Sequence, residues 1–367
     1  MQYRLFLVTP PGLEDLAQEE LAAKCPAVAD VVATKGGIEL TADLDWIVKA
    51  HCLLKLPVRI LLRVTEFKVR DFPKLHQRFS AFKWNEVLSQ PEPEWEIACA
   101  RSRLLHTGRI EETIRAALAT ALVRQPLSLD WQKKNYPPQT FYVRIVDDVL
   151  TLSLDLTGEP LYKRGYQKIK GEAPLRENLA AAFLLDLFRG IDEPVTLVDP
   201  MCGSATFLTE ALNYNNPLHL RPFAFETAPF FKGKLVRMPL VTTKLPVRAV
   251  VGYDANGELL RRVAAETDLD LRVADALAGP LSPDGEFVMI CNPPYGERIK
   301  IDGKRGSFLR AAWEKFLTVD RPKRFGWVLP SDLDDLFRSA PGYRLLTQRR
   351  LRNGGFAVTY WVWERGP

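Results

Sequence analysis

The chain has 367 residues, 47% of them hydrophobic, which suffices for cores in two or three domains and excludes an intrinsically disordered protein. No run approaches the ~18–20 apolar residues of a membrane span, and Met1-Gln2-Tyr3-Arg4-Leu5-Phe6 lacks a secretory n-region and cleavage site, so a cytoplasmic protein is expected. A net charge of +5 gives a mild bias toward polyanions, and five cysteines (Cys25, Cys52, Cys99, Cys202, Cys291) without CxxC spacing predict neither disulfides nor a metal site.

The first 160 residues read as two small α+β units. Tyr3 to Thr9 alternates as a strand, Leu13 to Lys24 has helical periodicity after a Pro-Pro-Gly turn, and Val28 to Leu40 reads as a hairpin around Lys35-Gly36-Gly37. A helix over Asp43 to His51 leads to a strand over Val58 to Val64. From there to Tyr162 the pattern is strand, helix, strand, helix and hairpin. Trp95 to Arg103 is a strand, Gly108 to Arg124 a helix, and 141–146 with 149–155 a hairpin turning at Asp147-Asp148. Arg101, Arg103, Arg109, Arg115, Lys133 and Lys134, with Trp131 and Tyr136 for stacking, are candidates for a phosphate-binding face, or else ordinary solvated side chains.

Chemistry concentrates in the remainder. Ala173-Pro174 begins a Pro-led helix through Asn178 to Ala182. Val195 to Val198 is a short buried strand, Asp199-Pro200-Met201-Cys202-Gly203-Ser204-Ala205-Thr206 a turn, and Phe207 to Leu212 a helix. Small residues let the backbone approach a ligand, and free N–H groups at a helix start hold a carboxylate; a purely structural turn is the other reading. Arg248 to Asp254 is a second strand, whose terminal acid is either a ribose ligand or an N-cap. Leu271 to Ala276 is a third. The apolar run Phe287-Val288-Met289-Ile290-Cys291 then meets Asn292-Pro293-Pro294-Tyr295, where two prolines force the backbone out of the sheet and expose an amide, free carbonyls and a phenol ring. Those groups suit a planar exocyclic amine and a stacked base. Ser307 to Thr318 reads as a helix, Phe325 to Pro330 as a buried strand, and 349–351 with 356–363 as a hairpin across Asn353-Gly354-Gly355. Lys300 to Arg305 is a basic run, read as a solvated lid or an RNA contact.

Asn292-Pro293-Pro294-Tyr295 resembles the signature of S-adenosylmethionine-dependent amino methyltransferases, and its extension Gly296-Glu297-Arg298 resembles the guanine-N2 RNA methyltransferases among them. The Asp199 to Thr206 turn is similar to the family's cofactor loop, with Ala205 where that loop carries glycine. If the position needs positive φ, alanine is strained by roughly 1–2 kcal/mol. Arg221-Pro222-Phe223-Ala224-Phe225-Glu226, Leu161 to Tyr166 and the Pro174 helix resemble further elements of the bacterial ribosomal-RNA members, while Ser102 to Gly108 with the 141–155 hairpin resembles their RNA-binding THUMP domain.

The resemblance implies an α/β architecture: a C-terminal Rossmann-like class I methyltransferase domain with a seven-stranded sheet over 158–367, after a ferredoxin-like region over 1–50 and a THUMP-like domain over 51–157. It implies S-adenosyl-L-methionine held by Pro174, Asn178, Asp199, Met201, Cys202, Gly203, Ser204, Ala205, Thr206, Asp254, Ala255, Asp275, Ala276 and Asn292. Asn292, Pro293, Pro294 and Tyr295 are then catalytic, and Arg101, Arg103, Lys133, Lys134 and Arg164 contact RNA. The expected substrate is guanosine N2 in 23S ribosomal RNA, with no metal and no membrane; the alternatives are transfer RNA, DNA adenine N6, or a non-catalytic RNA-binding scaffold. Amino methylation needs no covalent catalyst, so Cys202 and Cys291 read as packing residues.

Overall fold

The computed structural model describes residues 1–127, 138–165, 175–217, 221–231, 245–294 and 305–366. The N-terminal elements are β1 (Tyr3–Val8), α1 (Glu14–Lys24), β2 (Ala29–Thr34), β3 (Gly37–Ala42), α2 (Leu44–Leu53), β4 (Arg59–Lys68), α3 (Phe72–Ala81), β5 (Glu94–Ala100), α4 (Thr107–Arg124), β6 (Thr140–Val146) and β7 (Val149–Asp155). Then come α5 (Glu177–Phe188), β8 (Val195–Asp199), α6 (Thr206–Asn213), β9 (Val247–Asp254), α7 (Gly257–Ala264), β10 (Asp270–Val273), β11 (Phe287–Cys291), α8 (Arg305–Lys315), β12 (Arg324–Pro330), β13 (Tyr343–Asn353) and β14 (Phe356–Arg365). In its described parts the chain forms two units: Met1–Thr9, Cys25–Gly165 and Pro217–Pro239 make the first, and Pro10–Lys24, Tyr166–Asn216 and Leu240–Pro367 the second.

Local chemistry sets the first unit's elements. Asp43 caps α2 by accepting from Trp46 N at 2.8 Å, and Asp71 caps α3 by accepting from Lys74 N at 2.7 Å. Asp147 and Asp148 both hold positive φ, 52° and 62°, which the two-residue turn joining β6 to β7 requires. The sheet runs β2-β3-β1-β4-β7-β6-β5, with only β5 and β6 parallel. Strands that read as two separate units therefore share one sheet, joined where β4 pairs with β7 from Leu61↔Asp155 to Lys68↔Val149. Sequence patterning shows which face a strand buries, not which strand lies beside it.

The Arg221 to Glu226 element lies between β8 and β9 in sequence and packs in this first unit. Phe225 N donates to Leu156 O at 2.9 Å, and the rings of Phe223 and Phe225 lie 5.1 and 4.8 Å from that of His51. His51 is buried, with Nδ1 on Ile47 O and Nε2 on Thr157 Oγ1.

The second unit's sheet runs β10-β9-β8-β11-β12-β14-β13. Strands β8 to β12 pair in parallel, and β14 runs antiparallel between β12 and β13. Every residue of β8, β11 and β12 is buried, as expected of parallel strands covered on both faces. The chain runs from β8 outward through β9 to β10 on one side and then crosses back to lay β11 on the other side of β8, so the carboxyl edge between β8 and β11 is a topological switch point, where open α/β sheets bind ligands. Beneath it lies a core of Met289, Trp313, Phe316, Phe325, Trp327, Trp361 and Trp363. Helix α5 begins at Glu177, later than the Pro-led start read from sequence, and β10 stops at Val273, so Asp275 and Ala276 stand beyond the strand. Among the described residues no helix is long and apolar enough to cross a membrane, and no cluster of metal-binding side chains occurs.

Candidate active site

The carboxyl ends of β8, β9 and β11 converge on a cleft of about 300 Å³. Asp199 ends β8, and the chain turns through Pro200 to Ala205 into α6. Gly203 takes φ +52° and Ala205 φ +56°, so the alanine occupies the left-handed conformation that its glycine counterpart would adopt freely. Ala205 N donates to Cys202 O at 2.7 Å, and Ala205 O accepts from Thr209 N at 2.9 Å as the first bond of the helix. The turn is stitched to β9 by Cys202 N on Tyr253 O at 2.8 Å. Gly252 explains how closely they meet: a Cβ there would lie 2.7 Å from Leu208 Cδ1 and 3.0 Å from Cys202 Sγ.

Two carboxylates face this cleft. Asp254 accepts from Gly203 N through Oδ2 at 2.9 Å and from Asn256 N through Oδ1 at 2.8 Å, and Asn256 in turn caps α7. Asp199 accepts from Met201 N at 3.2 Å and is 2% exposed. Burial pushes the Asp199 carboxyl well above its usual range, and the nearby Asp254 charge pushes the same way against the Met201 amide. The described lining contains no Lys, Arg or His, so the site's own electrostatics favour a ligand carrying positive charge.

Asn292 follows β11 directly, and Pro293 and Pro294 end any sheet pairing there. The Asn292 side-chain oxygen is buried and has no hydrogen-bond partner among the described residues. An acceptor left so costs about 1–3 kcal/mol unless a ligand supplies the donor. Cys202 and Cys291 are buried, and desolvation with the nearby Asp199 and Asp254 charges raises both thiols far above the range in which a thiolate forms.

Of the residues singled out from sequence, Asp199, Met201, Cys202, Gly203, Ser204, Thr206, Asp254, Ala255, Asn292, Pro293 and Pro294 line the cleft. Ala205 lies fully buried beneath it. Asn178 is buried on α5 and does not line the cleft, and neither do Asp275, which accepts from Leu277 N at 2.9 Å, or Ala276, which joins the core. Pro174, Tyr295, Glu297, Arg298, Trp131, Lys133, Lys134, Tyr136 and the run from Lys300 to Lys304 lie outside the described residues. Leu175, Phe207, Asn256 and Leu259 line the cleft and were not foreseen; Asn256 was legible as an N-cap two residues after a strand-end acid, whereas the apolar three carried no signal.

Arg101 and Arg103 are exposed, and Arg101 pairs with Asp147 at 2.9 Å. Arg164 corrects an expectation. It is 5% exposed, and its guanidinium donates to Leu161 O and Lys55 O at 3.0 Å each, so it braces the first unit and presents no charge to an RNA phosphate.

Comparison with known proteins extends this picture. Residues 164–353 match the family described as RMKL-like, methyltransferase domain, and residues 4–61 match the RlmL ferredoxin-like domain. Curated relatives called ribosomal RNA large subunit methyltransferase K/L include that of Marinomonas sp. (strain MWYL1), 28% identical over 96% of this chain and 51% of the relative. That of Hahella chejuensis (strain KCTC 2396) is 30% identical over 99% and 53%. The chain spans about half the length of the curated relatives it matches. Among solved structures, SMU.472, named as a candidate methyltransferase and complexed with SAH, is 25% identical with a TM-score of 0.78 over 100% of this chain and 98% of that one. A possible methylase from Clostridium difficile 630 is 23% identical with a TM-score of 0.76 over 100% and 99%, a likeness of fold.

Proposed function

We propose that this chain, which belongs to the family of RMKL-like methyltransferase domains, transfers a methyl group from S-adenosylmethionine to the exocyclic N2 of a guanosine in large-subunit ribosomal RNA. The observation that carries the proposal is the buried Asn292 side-chain oxygen at the carboxyl edge of β11, which has no hydrogen-bond partner among the described residues and is an acceptor waiting for a donor. Relatives called large-subunit ribosomal RNA methyltransferases support the choice of RNA, and SMU.472 with its SAH supports the choice of cofactor.

The cleft fits that cofactor on its own chemistry. Its lining acids suit a ligand bearing sulfonium and ammonium charges, Asp254 at the end of β9 has the chemistry to accept from ribose hydroxyls, and the small residues of the turn let backbone amides at the start of α6 approach a carboxylate. S-adenosylmethionine, when bound, supplies an electrophilic methyl carbon.

The protein's task is the amine. A guanine amino nitrogen is a weak nucleophile because its lone pair is delocalised into the ring. Asn292 Oδ1 and the Pro293 carbonyl each accept one of its N–H bonds, turning the lone pair toward the methyl carbon and stabilising the positive charge that builds on nitrogen as the methyl–sulfur bond breaks; one N–H proton is then lost to water, leaving a neutral methylated amine. Tyr295, by its resemblance to the family motif, stacks on a base turned out of its helix. Cys202 and Cys291, held as buried thiols, offer no nucleophile for a covalent route to a ring carbon.

The test is mass spectrometry of nucleosides from the ribosomal RNA, transfer RNA and DNA of cells with and without the protein. Loss of N2-methylguanosine from large-subunit RNA is expected. Loss from transfer RNA alone moves the substrate, and a missing N6-methyladenine in DNA overturns the assignment to RNA.

A further inference from the structure

The first unit has a second cavity, about 220 Å³, between the C-terminal half of β4 and the end of α3. Phe79 is buried at its floor, while Phe67 and Phe82 are half-exposed at its walls. Arg78 is exposed at the rim, with its guanidinium carbon 5.7 Å from the Phe67 ring centroid, whereas the Glu66 carboxylate turns to the opposite face of β4, where it accepts from Thr151 Oγ1 at 3.2 Å. Phe67 and Phe79 meet edge to face at 6.2 Å, and Phe82 packs edge-on against the buried Trp84 at 4.9 Å, so the aromatic walls are fixed in place.

We infer that this cavity takes one unpaired nucleobase of the RNA, stacked on Phe67 or Phe82 beneath the Arg78 guanidinium. The inference rests on the reading of RNA as substrate. Size limits the occupant: the cavity falls below the ~300–1,000 Å³ of sites for drug-sized ligands, so it admits a single ring system and not a folded peptide segment. Chemistry selects within that size. A base has π-faces for phenylalanine and guanidinium together. Charge points the same way, since Lys74 is exposed one helical turn before Arg78 on α3 and can meet a flanking phosphate. A base held there is read by stacking, which tolerates any sequence, and serves to anchor a single-stranded stretch.

The experiment measures anisotropy of a labelled single-stranded RNA octamer, and of the same octamer carrying abasic positions, with the full chain and its Arg78→Ala and Phe82→Ala variants. The intact octamer should bind each variant at least about five-fold more weakly than the parent. The abasic octamer should bind the parent weakly and be insensitive to Phe82→Ala. Affinity for S-adenosylmethionine, measured by calorimetry, should be the same in all three proteins, which shows that folding is intact. Phe67→Leu, which keeps the volume and removes the ring, gives a second arm and should also weaken the intact octamer. Equal binding of intact and abasic RNA by the parent, or unchanged affinity in all three variants, overturns the pocket. If the parent methylates RNA while the variants bind normally, the pocket alone falls; if the parent neither binds nor methylates RNA, the underlying reading falls with it.

Discussion

Asp254 Oδ2 accepts the backbone amide of Gly203 at 2.9 Å, so the acid that ends β9 also fixes the tip of the turn that follows β8. One carboxylate thus shapes the glycine turn and faces the cleft. Asp254→Ala should lower affinity for S-adenosylmethionine by about 1.5–3 kcal/mol, the cost of a lost charged hydrogen bond. Asp254→Asn keeps one acceptor and should lie between. Calorimetric titration decides: unchanged affinity in a folded Asp254→Ala protein places the ribose elsewhere.

Asn292→Ala removes one acceptor for the amine and leaves the turn, Asp199 and Asp254 intact. Single-turnover methylation should fall by roughly 10²–10³ while cofactor affinity barely changes. A near-normal rate would show that the amine is not held by this side chain.

Ala205 holds φ +56° with its side chain fully buried. Ala205→Gly relieves strain of roughly 1–2 kcal/mol and gives back part of it as unfolded-chain entropy, so the midpoint of thermal unfolding should be unchanged or slightly raised. Ala205→Val should destabilise strongly, since a β-branched residue in this conformation adds strain to overpacking. Thermal melts of the three proteins test the order.

Asp199 makes the stability of the ligand-free protein depend on pH. Its folded carboxyl is raised above the ordinary range, chiefly by burial, so between that range and the raised value the native state keeps a proton that the unfolded chain has released. Stability from this group is therefore greatest in acid and declines as pH rises from about 4. Asp199→Asn should flatten that decline in melts recorded from pH ~4 to ~8, and an unchanged slope would assign it to other groups. His51 works oppositely: burial lowers it to about 3, so stability from this group declines as pH falls from about 6.5 toward that value.

Much of the site was legible in the chain because its parts are local. A strand ending in Asp199, small residues through Ala205 and a helix after them is one continuous stretch, and Asn292-Pro293-Pro294 breaks a strand by covalent chemistry that needs no partner. Such signals depend on neighbours in sequence, and the elements they predicted form within a few residues of their expected ends.

What only the tertiary structure decided concerns residues distant in sequence. That Asp254 supports Gly203, that Asn292 Oδ1 is buried without a partner among the described residues, and that Ala205 takes positive φ all follow from how β8, β9 and β11 lie together. The same holds for Arg164, which carries the charge of an RNA contact and is spent on two buried carbonyls, and for Asp275, which falls beyond a strand that stops at Val273. Pairing of β4 with β7 merged two expected units into one sheet, and contacts assigned α1 to the second unit, where Asp15 meets Arg349 at 2.8 Å. The physical reason is the range of the forces: turn chemistry and side-chain periodicity act over a few residues and are written in order along the chain, whereas burial, strand partners and the fate of a charge depend on which surfaces meet after folding.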